Sequence, residues 1–209
     1  MVGRIIETAD DLAEGAAWLS TRDPRLAQAL ADVGPLPLRR NPGGFAALLD
    51  AIMSQQVSVA SADAIWRRLE AAGLTEAPAV AAAGEEALRA CGLSRQKIRY
   101  ATALATAGLD FEALAEYPDE EAIAALVALP GIGRWTAEIY AMFSLGRADV
   151  FAPGDLALQE AARMLFDLEE RPSERALRAM AEDWSPWRAV AARALWAYYR
   201  HVRSREGIR

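Results

Sequence analysis

Cysteine, histidine and lysine are nearly missing from this chain. Its 209 residues hold one cysteine and one histidine, and Lys97 is the only lysine among 23 basic side chains. A single cysteine excludes an internal disulfide framework and any four-cysteine zinc or iron–sulfur site built by this chain. One histidine excludes a multi-histidine metal centre, so no metal ligand set is expected. No apolar run has the length that crosses a bilayer. The opening MVGRIIETADDL reaches acids by Glu7, so it does not read as a secretory leader. A cytoplasmic protein without a membrane partner is expected.

What is present suits a folded core: 53% hydrophobic and 25% charged residues. The length fits one generous domain or two small lobes sharing a cleft. The net charge of −6 argues against a phosphate-tracking surface, but its distribution complicates the sum. From Trp184 to Arg209 six arginines face one acid, Glu206, leaving that segment at +5 and the rest at −11.

Alanine saturates the sequence, period-two alternation is scarce, and glycine and proline act as punctuation, so an all-α protein of about ten short helices is predicted. Helices are expected over Asp10–Leu19, after Asp23-Pro24, and over Phe45–Met53 and Val59–Ala72, the last with Arg67 and Arg68 outward. Pro78 interrupts the stretch before a Glu85–Cys91 helix. Further helices are expected after Ser94, over Phe111–Ala115, Ala122–Leu129, Arg134–Leu145, Asp155–Phe166 and Ala176–Glu182. A long one follows Ser185-Pro186.

The segment LPGIGRWTA, from Leu129 to Ala137, lies between two of these helices. Gly131 and Gly133 permit a tight reversal and a close approach. The next helix starts at once, so its unpaired amides face outward, where a phosphate can accept from them without any lysine or arginine. An ordinary interhelical turn is the plain alternative. A dinucleotide site is disfavoured, because a helix precedes the glycines where a strand is required.

LPGIGRWTA resembles the helix–hairpin–helix of the base-excision DNA glycosylases, and most closely the DNA-3-methyladenine glycosylase II branch of that superfamily. Three further stretches resemble it in the same order: Ser54-Gln55-Gln56-Val57-Ser58, Gly92-Leu93-Ser94-Arg95-Gln96-Lys97, and Asp149-Val150-Phe151-Ala152-Pro153-Gly154-Asp155. The ending Trp184-Ser185-Pro186-Trp187-Arg188, with Trp196, also matches. The resemblance implies two helical lobes with an active site in the cleft between them. Residues 45–145 would form the middle lobe, with the helix–hairpin–helix at about 122–145. Residues 1–44 and 146–209 would form a discontinuous lobe from both chain ends.

By this resemblance Asp155 is the catalytic carboxylate, facing the deoxyribose of an extruded nucleotide. In isolation an aspartate after Pro-Gly reads as an N-cap, and the two roles are compatible. Asp149, the competing acid, suits loop or capping duty. Trp135 occupies the hairpin position where strand-cleaving relatives carry a Schiff-base lysine, which implies release of a base without strand scission. Trp135, Trp196 and Tyr140 are the candidates for the base pocket, with helix packing as the alternative for the tryptophans; the family's tyrosine position falls on Ile139 here. Gln55 and Gln56 belong to the loop that probes the minor groove, with Gln56 at the wedge position. Gly131, Ile132 and Gly133 would grip a phosphate through backbone amides, with Arg134 beside them. Arg188, Arg193 and Arg200 would add salt-dependent contacts or lie on solvated surface, and Glu138 suits solvated surface. A monovalent cation at the hairpin is expected from the resemblance; the chemistry requires no cofactor.

The implied activity is a monofunctional glycosylase hydrolysing the N-glycosidic bond of alkylated purines such as 3-methyladenine in duplex DNA, acting as a monomer. Two alternatives remain: a glycosylase of this fold for another damaged base, and a non-catalytic helix–hairpin–helix DNA-binding protein.

Overall fold

The computed structural model describes residues 2–205. Met1, and the end of the arginine-rich segment with Glu206 and Arg209, lie outside the described residues. Among the described residues there are thirteen α-helices and a single 3-10 turn, with one isolated β-bridge and no strand. The all-α expectation therefore holds. No helix among them is long and apolar enough to cross a membrane. The chain divides into two compact units, one from Asn41 to Tyr140 and one joining Val2–Arg40 to the stretch from Ala141 onward. The sequence placed these divisions at Phe45 and Leu145.

The continuous unit holds α3 (Gly44–Met53), α4 (Val59–Ala71), α5 (Ala77–Ala82), α6 (Glu85–Ala90), α7 (Arg95–Thr106), α8 (Phe111–Glu116), α9 (Asp119–Val127) and most of α10 (Arg134–Phe143). Helix α7 is its hub, packing against α3, α5 and α6. Ser94 caps it by accepting from the Lys97 amide, which fixes where the hub begins. Leu48, Leu49, Ile52, Leu69, Val80, Leu88, Ala101, Leu104 and Leu126 fill the core. Two expectations change here. Pro78 does not interrupt a helix but sits in the first turn of α5, where its missing N–H costs nothing. Ala72, expected as the last residue of the Val59–Ala72 helix, instead caps α4 and is exposed.

The discontinuous unit holds α1 (Ala9–Arg22), α2 (Pro24–Val33), α11 (Leu156–Leu165), α12 (Glu174–Met180) and α13 (Arg188–Arg205). Helix α13 packs on α1, α2 and α11. The two distant chain segments are joined by backbone bonds from Ile6 N–H to the Gly146 carbonyl at 2.7 Å and from Ala148 N–H to the Arg4 carbonyl at 3.0 Å, and within the later segment Ala189 N–H donates to the Ala148 carbonyl at 2.9 Å. Close packing is enforced at Gly15, where a β-carbon would lie 2.7 Å from both the Trp187 ring and a Val190 methyl. The last helix begins at Arg188, not at Ser185-Pro186, because Ala181–Trp184 form the 3-10 turn and Ser185 follows it in extended conformation.

Candidate active site

The hairpin after α9 turns on Gly131, whose φ is +91°. A β-carbon there would also lie 2.5 Å from Tyr100 Cδ2, so both conformation and space demand glycine. Gly133 differs, since it avoids the left-handed region and a β-carbon on it meets nothing within 4 Å. The Ile132 amide does not face outward as expected. It donates to the Leu129 carbonyl at 3.1 Å within the turn, and its side chain is buried. The hairpin runs straight into the first turn of α10, where Ala137 N–H donates back to the Gly133 carbonyl at 3.0 Å.

Arg134 opens that helix beside two acids. Its Nε donates to Glu138 Oε1 at 2.9 Å and its Nη2 to both oxygens of Glu120 at 2.9 Å. Glu138 is 1% exposed, which corrects its reading as solvated surface. It shares the buried face of α10 with Ala137 and Tyr140, and a carboxylate on that face needs charged or hydrogen-bonding company. Trp135 points elsewhere: it is 47% exposed and is not a core residue. The Tyr140 ring is buried, and its hydroxyl accepts from the Gly44 amide at 2.7 Å. Burial pushes that phenol above its ordinary range. Tyr140 thus ties α10 to the start of α3.

The loop between α3 and α4 carries the two glutamines. Gln55 Nε2 donates to the Gly131 carbonyl at 2.9 Å, so the loop and the hairpin are joined directly. Gln56 is exposed and held at φ +56°. Val57 and Val59 beside it are exposed as well, an unusual placement for two β-branched apolar residues.

In the other unit Asp155 is the N-cap of α11. Its Oδ1 accepts from the Ala157 and Leu158 amides at 2.9 and 3.0 Å, and from Trp196 Nε1 at 3.1 Å. Three donors on one oxygen fix the plane of the carboxylate. Gln159, which sequence reading missed, is buried and donates to the Pro153 carbonyl at 2.8 Å, holding the chain just ahead of Asp155. The signal was a polar residue four positions after an N-cap on an otherwise apolar face. Asp149 is no competitor. It accepts from the Ser185 hydroxyl at 2.7 Å and from Arg188 at 2.8 and 3.0 Å, a structural ion pair.

Trp196, half-buried on α13, lies 5.8 Å from the Phe143 ring. Arg193 is over the other aromatic partner: its guanidinium sits 4.5 Å from the Phe143 centroid and donates to the Ala189 and Met142 carbonyls. At 3% exposure it is not a surface contact, against expectation. Burial, with Arg40 and Arg39 nearby, brings its pKa down to about 10. Of the other two arginines, Arg188 pairs with Asp149 and Arg200 is exposed. Among the described residues no three His, Cys, Asp or Glu side chains are grouped to hold a metal ion.

Residues 49–186 match the HhH-GPD superfamily of base excision DNA repair proteins. A fission-yeast (Schizosaccharomyces pombe) alkylbase DNA glycosidase-like protein, mag2, is 27% identical over 85% of this chain and 89% of its own length. The crystal structure of a DNA-3-methyladenine glycosidase from Bacillus halodurans superposes with a TM-score of 0.80 at 34% identity, covering 87% of each chain. The S. pombe 3-methyladenine DNA glycosylase Mag1, solved with abasic DNA, gives 0.74 at 28% identity over 88% of this chain and 95% of that one. The chain therefore belongs to the HhH-GPD superfamily of base excision DNA repair glycosylases.

Proposed function

We propose that this chain hydrolyses the N-glycosidic bond of alkylated purines, 3-methyladenine foremost, in duplex DNA, and leaves the abasic strand uncut. The observation that carries this reading is the Asp155 carboxylate, oriented by two helix amides and the Trp196 indole. Breaking an N-glycosidic bond spreads positive charge over C1′ and the ring oxygen. A fixed carboxylate is complementary to that charge in the transition state and far less so to the neutral sugar. The same group is suited to orient the attacking water. A methylated purine is already cationic and a good leaving group, so aromatic faces at Trp135 and Trp196 serve it better than a strong general acid.

Retention of the strand follows from the amines available. A lyase needs a nucleophilic amine at the hairpin, and Trp135 stands there. The one lysine, Lys97, is not on the hairpin, and its amine donates to the Met53 carbonyl at 2.5 Å. Duplex DNA is held by the amides at the start of α10, to which a phosphate is the natural acceptor. A monovalent cation at the hairpin fits the oxygen chemistry present, because the Leu129 and Gly131 carbonyls each keep a second lone pair. The chain is proposed to act as a monomer.

The deciding experiment is a panel of duplexes carrying 3-methyladenine, 7-methylguanine, hypoxanthine or 8-oxoguanine under single-turnover conditions. Release of 3-methyladenine with no borohydride-trapped protein–DNA adduct is expected. Release of only an oxidised or deaminated base, or a trapped adduct, overturns the reading.

A further inference from the structure

Two segments that the proposed function brings to DNA touch through one side chain. Gln55 Nε2 reaches the Gly131 carbonyl at 2.9 Å and so joins the α3–α4 loop to a turn 76 residues later. The very next residue, Gln56, is held left-handed at φ +56° with its side chain exposed. A non-glycine residue keeps that conformation only where its surroundings over-determine it.

Packing beneath the loop does not do this. A cavity of about 280 Å³ lies there, lined by Gln55, Gln56, Gln96, Lys97 and Tyr100 among others. The far wall is firm: the Tyr100 ring abuts Gly131, and Gln96 Nε2 donates to the Tyr100 hydroxyl at 2.6 Å. Lys97 Nζ holds the end of α3 through the Met53 carbonyl, and within the loop itself the Gln55 amide makes the bond to the turn against that wall. The turn it grips leads directly into the first turn of α10.

We infer that Gln55 is a positioning residue: its amide clasps the loop to the Gly131 carbonyl, so that the hairpin's hold on a phosphate and the entry of Gln56 into the duplex keep one register. This rests on the base-excision reading above. Gln55 itself then need not contact DNA. Its side chain converts phosphate binding, which is indifferent to damage, into recognition of a weakened base pair.

The test compares Gln55→Leu and Gln55→Glu with the unaltered full chain on two duplexes, one undamaged and one carrying a tetrahydrofuran abasic analogue beside 2-aminopurine. Leucine removes the donor. Glutamate keeps the shape but sets an ionised oxygen against the carbonyl oxygen at pH 8. A clasp predicts that both variants lose preference for the abasic analogue by about tenfold, the scale of one lost hydrogen bond with its partner left unpaired. The 2-aminopurine signal should fall with it, and Gln55→Glu should be the worse of the two in that ratio. Affinity of Gln55→Leu for undamaged duplex should stay within about twofold of the unaltered chain. The inference is overturned if Gln55→Glu matches the unaltered chain, which means packing alone, or if Gln55→Leu loses both duplexes equally, which means a plain DNA contact or misfolding. It is also overturned if the unaltered chain shows no preference for the abasic analogue. None of these readouts needs base release, so a failed glycosylase assay and a failed clasp are told apart.

Discussion

At Asp155 one side chain serves the helix and the proposed reaction together, and a substitution can separate the two. Asparagine caps a helix about as well as aspartate, so Asp155→Asn should leave the stability of α11 nearly unchanged. It removes the charge that the developing oxocarbenium needs. Single-turnover base release should fall by roughly 10²–10³-fold with duplex affinity kept, by analogy with losing one electrostatic stabiliser; near-normal release would refute the assignment. Asp155→Ala should add a stability loss of about 1 kcal/mol, measured by urea unfolding. The hairpin glycines offer a second contrast. Gly131→Ala meets both a left-handed backbone and the Tyr100 ring, and should cost about 2 kcal/mol or more. Gly133→Ala meets neither and should stay within about 0.5 kcal/mol. The sequence made these two glycines equivalent, because spacing carries no dihedral angle.

Helix by helix, the starts were easier to read than the partners. Thr8, Asp23, Ser58, Ser94, Asp110, Asp155 and Ser173 all cap through their side chains. These residue types announce themselves locally, so most helix starts were legible within a few positions. Capping also gives a paired forecast. Ser94→Ala should destabilise the continuous unit by about 1 kcal/mol, since α7 is its hub. Gly84 caps α6 without a side-chain bond in an extended conformation and has open space for a β-carbon. Gly84→Ser should therefore stabilise by a few tenths of a kcal/mol. Chemical unfolding of both variants checks the signs. What the helices touch was less legible. Glu138 and Arg193 read as surface because charged residues usually are, and only packing shows that their faces of α10 and α13 are buried. The Ile132 amide was lost to the phosphate site for a similar reason: a turn bond to Leu129 leaves no trace in composition.

For the whole molecule, the charges of the two units respond to acid in opposite senses. In the discontinuous unit Asp11 is held well below the usual carboxylate range by the Glu7 amide, Arg4 and Thr8. Asp23 is lowered by Arg25, and Glu160 by Arg163. Carboxyls with depressed folded pKa values give stability above the unfolded value of about 4, and it drains away as pH falls below that. Asp50 in α3 runs the other way, raised by partial desolvation and by Asp63, so acidification relieves it. Hydrogen exchange between pH 6 and pH 3.5 should show protection of α1 and α11 falling before that of α3. Equal loss in both units would refute this. The net charge of −6 foretold nothing of this kind. It summed over ion pairs such as Asp149 with Arg188 and over a buried arginine. The all-α class, by contrast, was plain from alanine content and glycine–proline punctuation.

The backbone bonds that join Ile6 to Gly146, Arg4 to Ala148 and Ala148 to Ala189 set a timetable for synthesis. The Val2–Arg40 segment is synthesised well before α13, on which α1 and α2 pack. At ordinary elongation speeds the wait is roughly ten to thirty seconds. Meanwhile the leucines at positions 12, 19 and 26, fully buried in the finished fold, have only each other's helices for cover. The continuous unit has no such delay, since everything it needs has been made by Tyr140. Nascent chains halted near residue 180, late enough for Tyr140 to clear the exit tunnel and too early for α13, should therefore carry a protease-resistant centre behind a leading segment that chaperones bind.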